Sequence, residues 1–262
     1  MKGTAMNLSG RFVRVWQRNL IVYRQTWKIS FLPPLLEPLL YLAAFGVGLS
    51  GMVGNLQYRG EEISYVAYLA PSLIAINIMN SAFFENTYSS FVRMYYQKMF
   101  DGMMATPLTV EEIIAGEIAW GATKSVIGTA IMMAVISLFG LLRYPETLLI
   151  LPVSVLAGLA FGSLGMFFTG IVRNIDLFNL PIFLFITPMF LFGGTFFPID
   201  ALPSWAQAIA LTLPLTHLVT VVRDAGLGRI GPDFWWGLAY LSIFVVFFFP
   251  VSVRRMRQRL IK

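Results

Sequence analysis

The residues able to do chemistry in this chain are few. It carries 13 Asp and Glu, one His and no Cys among 262 residues. The missing thiol excludes a disulfide framework, a thiolate zinc site, an iron–sulfur cluster and a cysteine nucleophile. His217 stands alone, so it cannot build a histidine-rich metal site, and no nucleophile elbow surrounds it. It reads as a polar contact within its own segment. Gly116, Gly121, Lys124 and Ser125 imitate a phosphate-binding loop, but the lysine comes two residues late and the stretch is apolar helix.

Four ionisable residues remain inside apolar runs: Glu37, Glu85, Glu117 and Lys124. A charge at the bilayer centre costs about 2.5–3.5 kcal/mol on insertion scales, so each needs a partner or a task. Glu117 and Lys124 share a helix face but lie about 10 Å apart along the axis. Glu85 is a second candidate partner for Lys124. An ion pair tying two helices together is favoured over a proton relay. Sequence names no partner for Glu37.

The elements that must position these groups are membrane spans. The chain is 57% apolar and only 12% charged, against about 25% charged in a soluble domain, and one soluble core could not hide that excess. Windows of about 20 residues, the length that crosses roughly 30 Å, give six spans, near 29–50, 63–91, 113–142, 148–172, 177–197 and 234–253. The fold class is therefore all-α integral membrane protein, with residues 1–262 read as a single transmembrane domain. The polar stretch before span one is too long for a signal-peptide start and has no small-residue cleavage site, so span one is expected to be retained.

With both termini cytoplasmic, fourteen of the 19 Lys and Arg fall on the cytoplasmic side. Arg59, Arg143, Arg223 and Arg229 fall outside, and Lys124 lies within a span. This asymmetry follows the positive-inside rule. It also accounts for the net charge of +6 as topology and lipid-headgroup contact rather than nucleic-acid binding.

Three further segments stand out. In 9–28, Phe12, Trp16, Leu20, Tyr23 and Trp27 fall within an arc of about 80° at helical spacing, with Arg14, Arg18, Arg24 and Lys28 opposite. This predicts an interfacial helix on the cytoplasmic leaflet. The loop after span two holds Met99, Phe100, Asp101, Met103, Met104 and Pro107. Its apolar members are read as exposed in a charged setting and suited to a partner surface, with a loop packed on the helix ends as the alternative. Thr109 and Glu112 have capping-box spacing, so span three is predicted to start there. Residues 198–232 form two halves, each too short to cross and broken at Pro214. They are read as a re-entrant hairpin from the outer face, the alternative being an external amphipathic cap. Gly158 and Gly162 make a small-residue face for close helix packing.

Together these features resemble the membrane subunit of type-two ABC exporters over nearly the whole chain. The amphipathic helix at 9–28 precedes six spans, and Gln97–Leu108 matches the position of the coupling helix. The clusters Phe196–Asp200, Leu202–Trp205 and Leu213–His217 resemble the lipo-oligosaccharide (nodulation-factor) export and anthracycline-resistance permeases. The resemblance implies a bacterial inner-membrane permease, paired with a second permease subunit, most simply as a homodimer. It also implies two cytoplasmic ATPase subunits that bind ATP and Mg, with no cofactor and no catalysis in this chain. The expected cargo is an amphipathic lipid-linked saccharide or related glycolipid. A hydrophobic drug or antibiotic is the alternative, and a proton-coupled secondary transporter the more distant one. Tyr41, Phe45, Phe83, Phe185 and Phe192 are candidates to line the substrate pathway.

Overall fold

The computed structural model describes residues 9–48 and 54–261. Lys2, Lys262 and the expected end of span one at 49–50 lie outside the described residues. Among the described residues, six helices are long and apolar enough to cross a membrane. They are α1 (Phe12–Gly48), α2 (Tyr65–Tyr96), α4 (Val110–Leu138), α5 (Glu146–Ile171), α6 (Ile175–Phe192) and α9 (Pro232–Leu260). Short helices complete the set: α3 (Met99–Met104) between α2 and α4, then α7 (Ser204–Ala210) and α8 (Pro214–Gly226) before α9.

The first and last described helical segments meet at one end of the bundle. Arg11 Nη1 donates to the Pro107 carbonyl at 2.8 Å, and Arg257 pairs with Glu111 at 3.1 Å. This is called the terminal end below. The opposite, hairpin end carries strands β1 (Asn55–Tyr58) and β2 (Glu61–Ser64), paired antiparallel. From sequence no element is expected between 50 and 63, and the expected span two starts inside β2. The two-residue turn is Arg59-Gly60, with φ of 50° and 80°, the left-handed pair that matches strand twist in a tight hairpin.

Two expectations change. The amphipathic segment 9–28 and span one are a single 37-residue helix, about 55 Å long at 1.5 Å per residue. Pro33, Pro34 and Pro38 lie inside it without ending it. Its inner face is held against α4: Val15 is buried where Gly116 leaves room, and Trp16 Nε1 donates to Thr123 Oγ1 at 2.8 Å. The last span also runs beyond 253 to Leu260, carrying Arg254, Arg255, Arg257 and Arg259 on the same helix.

Local signals explain the other starts. Ser64 caps α2 by accepting from the Ala67 amide, and Thr109 with Glu112 forms a reciprocal capping box at the start of α4. In the core, glycines let helices close on one polar side chain. A Cβ at Gly121 or Gly162 would meet Asn86 Nδ2 at 2.1 or 2.9 Å, and one at Gly158 would meet the Ala122 backbone at 2.7 Å. The small-residue face thus seats α5 against α2 and α4 within this chain.

Candidate functional site

Three of the four charges that sequence places inside apolar runs, Glu85, Glu117 and Lys124, are joined by a further one. Arg93, expected in the loop after span two, lies on α2 and folds back among them. Its Nη1 pairs with Glu85 Oε1 at 2.7 Å and its Nη2 with Glu117 Oε2 at 2.6 Å. Lys124 Nζ takes the other Glu85 oxygen at 2.8 Å. Lys124 therefore pairs with Glu85, not with Glu117 one face along its own helix, because a neighbouring helix is nearer than two turns of α4. Glu117 accepts further bonds from Asn19 Nδ2 at 2.9 Å and Ser90 Oγ at 2.7 Å. The chain Glu117–Arg93–Glu85–Lys124 thereby joins α1, α2 and α4.

The backbone under this chain is irregular. Two π-helical turns, Glu85–Ser89 and Val92–Tyr96, interrupt α2, and such turns frequently sit at functional sites. They carry Glu85 and Arg93. Without them a regular helix would set these eight-apart residues differently around its axis. No periodicity in the sequence reports a π turn, which is why Arg93 was missed.

Next to this network lies the loop after α2. Arg18, read from sequence as facing away, reaches into it: Nη1 donates to Met99 Sδ at 3.0 Å and Nη2 to Asn19 Oδ1 at 2.7 Å. Within α3 the expected pattern is corrected. Phe100 is 0% exposed and packs with Phe91 and Ile114, while Met99, Met103 and Met104 are half-buried. The exposed positions are Asp101, Gly102, Ala105, Thr106 and Pro107, together with Tyr95, Tyr96, Gln97 and Lys98. Six residues of helix bury their apolar side against α4, so the outward surface is small and polar, with Phe100 as its anchor.

The interfacial aromatics divide in the same way. Tyr23 meets Trp120 edge-on at 5.5 Å, and Trp16 reaches Thr123, whereas Trp27 is exposed. Leu20 and Phe12 are half-buried. Of the pathway candidates, Tyr41 stacks on Phe45, which touches Phe196. Phe83 is wholly buried, reaching Phe168, which in turn contacts Phe185; Phe192 meets Trp205. The structure brings these five to three separate places. Glu37 faces the Asn77 side chain of α2, with which it lines one cavity.

At the hairpin end the 198–232 segment holds α7 and α8, bent by 83° at a short break. His217 Nε2 bonds the Leu211 carbonyl at 2.9 Å and its ring stacks on Tyr240 at 3.9 Å. The polar contact expected for it thus closes the break. Arg223, assigned from sequence to the outer headgroups, is buried instead. It donates to the carbonyls of Tyr68 (3.2 Å) and Gly194 (2.7 Å) and to Ser72, over the Tyr68 ring at 3.7 Å. Asp224 takes Tyr58 Oη at 2.8 Å and Arg59 at 2.7 Å. Burial pushes the Tyr58 phenol above its ordinary range, consistent with its role as a donor. Among the described residues no cluster of three or more His, Cys, Asp or Glu could hold a metal.

The description "ABC-2 type transporter" matches residues 11–227. The chain is 38% identical over 252 residues to Nodulation protein J of Rhizobium leguminosarum bv. viciae, covering 96% of this chain and 95% of that one. It is 36% identical over 250 residues to Nodulation protein J of Sinorhizobium fredii, covering 95% and 94%. To the inner membrane transport permease YadH of Escherichia coli K12 it is 22% identical over 238 residues, covering 90% and 91%.

Proposed function

This chain belongs to the ABC-2 type transporter family as a membrane permease subunit, and from that premise we propose that it exports an amphipathic lipo-oligosaccharide or related glycolipid, driven by a separate ATPase. The similarity to Nodulation protein J over nearly the full length agrees with the resemblance to the lipo-oligosaccharide (nodulation-factor) export permeases, and that resemblance favours a saccharide-bearing cargo over a hydrophobic drug. The terminal end faces the cytoplasm of a bacterial inner membrane in this reading, which places Arg254, Arg255, Arg257 and Arg259 inside. The bent pair α7–α8 dips in from the outer face. Two permease subunits, in the simplest case two copies of this chain, carry two ATPase subunits that bind ATP and Mg.

The observation that carries the reading is the wiring of the loop after α2. Its exposed side, around Gly102 and Pro107, is available to a cytoplasmic partner. Its buried side is fixed by Phe100, and Arg18 links Met99 to the ion-pair network. A push on α3 thus reaches α1, α2 and α4 together. The energy comes from the ATPase binding two arrangements of this end with different affinity. Pairing of Glu85 and Glu117 with Arg93 and Lys124 leaves them as structural charges, which weighs against a proton-coupled carrier.

The test is reconstitution of the permease with its cognate ATPase subunit, in liposomes holding a fluorescent glycolipid. ATP-dependent movement of the glycolipid is expected. Movement driven by a proton gradient without ATP would overturn the proposal, as would ATP-driven movement of hydrophobic drugs only.

A further inference from the structure

Two cavities open side by side along α1. One, of about 450 Å³, reaches from Gln97 and Arg18 to Lys124; the other, of about 300 Å³, continues from Lys124 to Glu37 and Asn77. Both are lined by Tyr23, Ser30, Glu85, Ser89 and Lys124, so they form one groove between α1, α2 and α4. Beyond Glu37 the wall of α1 turns apolar, through Leu40, Tyr41 and Phe45. A polar groove at membrane depth is tolerated only where it is wet or filled by a polar ligand.

The wall specifies the ligand. In the inner part of the groove, from Lys124 to Asn77, the lining cation Lys124 is already paired with Glu85, while Arg18 stands in the outer part, near Gln97. The buried unmet side-chain atom of that inner part is an acceptor, whereas the outer part holds the unmet Arg18 Nε donor. Asn77 is buried, and its Oδ1, seated in the space left by Gly128, has no hydrogen-bond partner. Pro34 and Pro38 offer no N–H, so the carbonyls of the half-buried Ser30 and Pro34 receive no ordinary helical bond. Buried acceptors call for donors. A phosphate monoester or diester headgroup brings chiefly acceptors, whereas a sugar brings a donor with every hydroxyl. The half-buried stripe Asn80, Ser81, Tyr88 and Ser89 on α2 adds amide and hydroxyl partners. Tyr23 and Trp120 present aromatic surface, able to cover the apolar face of a sugar ring.

We propose that this groove binds the uncharged saccharide head of the transported amphiphile, and that Asn77, Asn80 and Ser81 select a neutral polyhydroxylated head over an anionic one. This rests on the glycolipid reading above.

The absence of cysteine makes the test direct. Ser30→Cys and Ser81→Cys are made in the permease–ATPase complex in liposomes, with Ile243→Cys as control, a position 68% exposed on α9. A charged methanethiosulfonate is the labelling reagent. An alkyl glycoside with a neutral trisaccharide head and an alkyl phosphate of the same chain length are the competitors. The two groove positions are expected to label faster than position 243 and to be protected by the glycoside alone. Labelling no faster than at 243, protection by neither amphiphile (a groove filled by water only), or equal protection by the phosphate each overturns the proposal.

Asn80→Leu is expected to slow glycolipid movement about tenfold, the worth of one hydrogen bond of about 1.4 kcal/mol, with Asn80→Ser restoring most of it. Co-purification of the ATPase checks that both variants assemble. Equal movement by Asn80→Leu and the unaltered chain overturns the selection by Asn80. Labelling and protection are read without transport. Movement of glycolipid with an unprotected groove therefore sinks this inference alone, and a protected groove with no glycolipid movement sinks the exporter reading alone.

Discussion

At the terminal end, Glu117, Arg93, Glu85 and Lys124 hold one another side chain to side chain across three helices, beside an open groove. At the hairpin end, Arg223 is held largely by backbone carbonyls and the ring of Tyr68, with Asp224 pinned to the β-hairpin next to it. Both solve the cost of burying charge, yet the solutions have different consequences. Carbonyls belong to fixed backbone, so their cage suits one arrangement of α2, α8 and the 194–195 turn. A run of ion pairs between side chains can exchange partners as helices shift, and the adjoining space leaves room to do so. The difference assigns rigidity to the hairpin end and adjustability to the end that faces the loop and α3.

Substitutions sharpen or break this contrast. The largest effect is expected from Glu117→Ala, which leaves Arg93 with one carboxylate fewer at a fully buried position. Breaking a buried pair from one side costs about 3–5 kcal/mol, read as a lower melting temperature and yield in detergent, with Glu117→Gln milder. Arg223→Met comes next. It strips donors from two buried carbonyls and is expected to cost about 1–3 kcal/mol, while ATPase binding persists. If Arg223→Met released the ATPase instead, the two ends would not be separable.

Lys124→Met removes a partner that is 31% exposed, and Glu85 keeps Arg93. A loss of about 1 kcal/mol or less is expected, with the main change in transport rate. The smallest effect on stability belongs to Gly102→Trp, where an added Cβ meets nothing within 4 Å. Its melting temperature should correspond to a change within about 0.5 kcal/mol, while co-purification of the ATPase falls sharply. Phe100→Asp is expected to do the opposite, unfolding the loop from within because Phe100 is buried.

Span number and order were legible because crossing hydrocarbon demands long apolar runs, and the six observed helices follow the expected ones to within a few residues, apart from the extended first and last. The start at Thr109–Glu112 was legible because a capping box is local chemistry. The Arg59-Gly60 turn carried a readable signal as well, with Leu56, Tyr58 and Ile63 packing on one side, but it was overlooked between two stronger hydrophobic runs. The α3 surface was misread because methionines and a phenylalanine in a charged loop look exposed until the helix beneath them is placed.

Composition and periodicity alone determined that this is a six-span helical membrane protein without thiol or clustered-histidine chemistry, because solvent partition acts on each segment separately. The tertiary structure decided which charges meet. Arg93 reaches Glu117, 24 residues on, and Arg223 reaches Tyr68, 155 residues back. Such pairings depend on helix rotation, π turns and glycine-set spacing, and these are fixed only when the helices pack together.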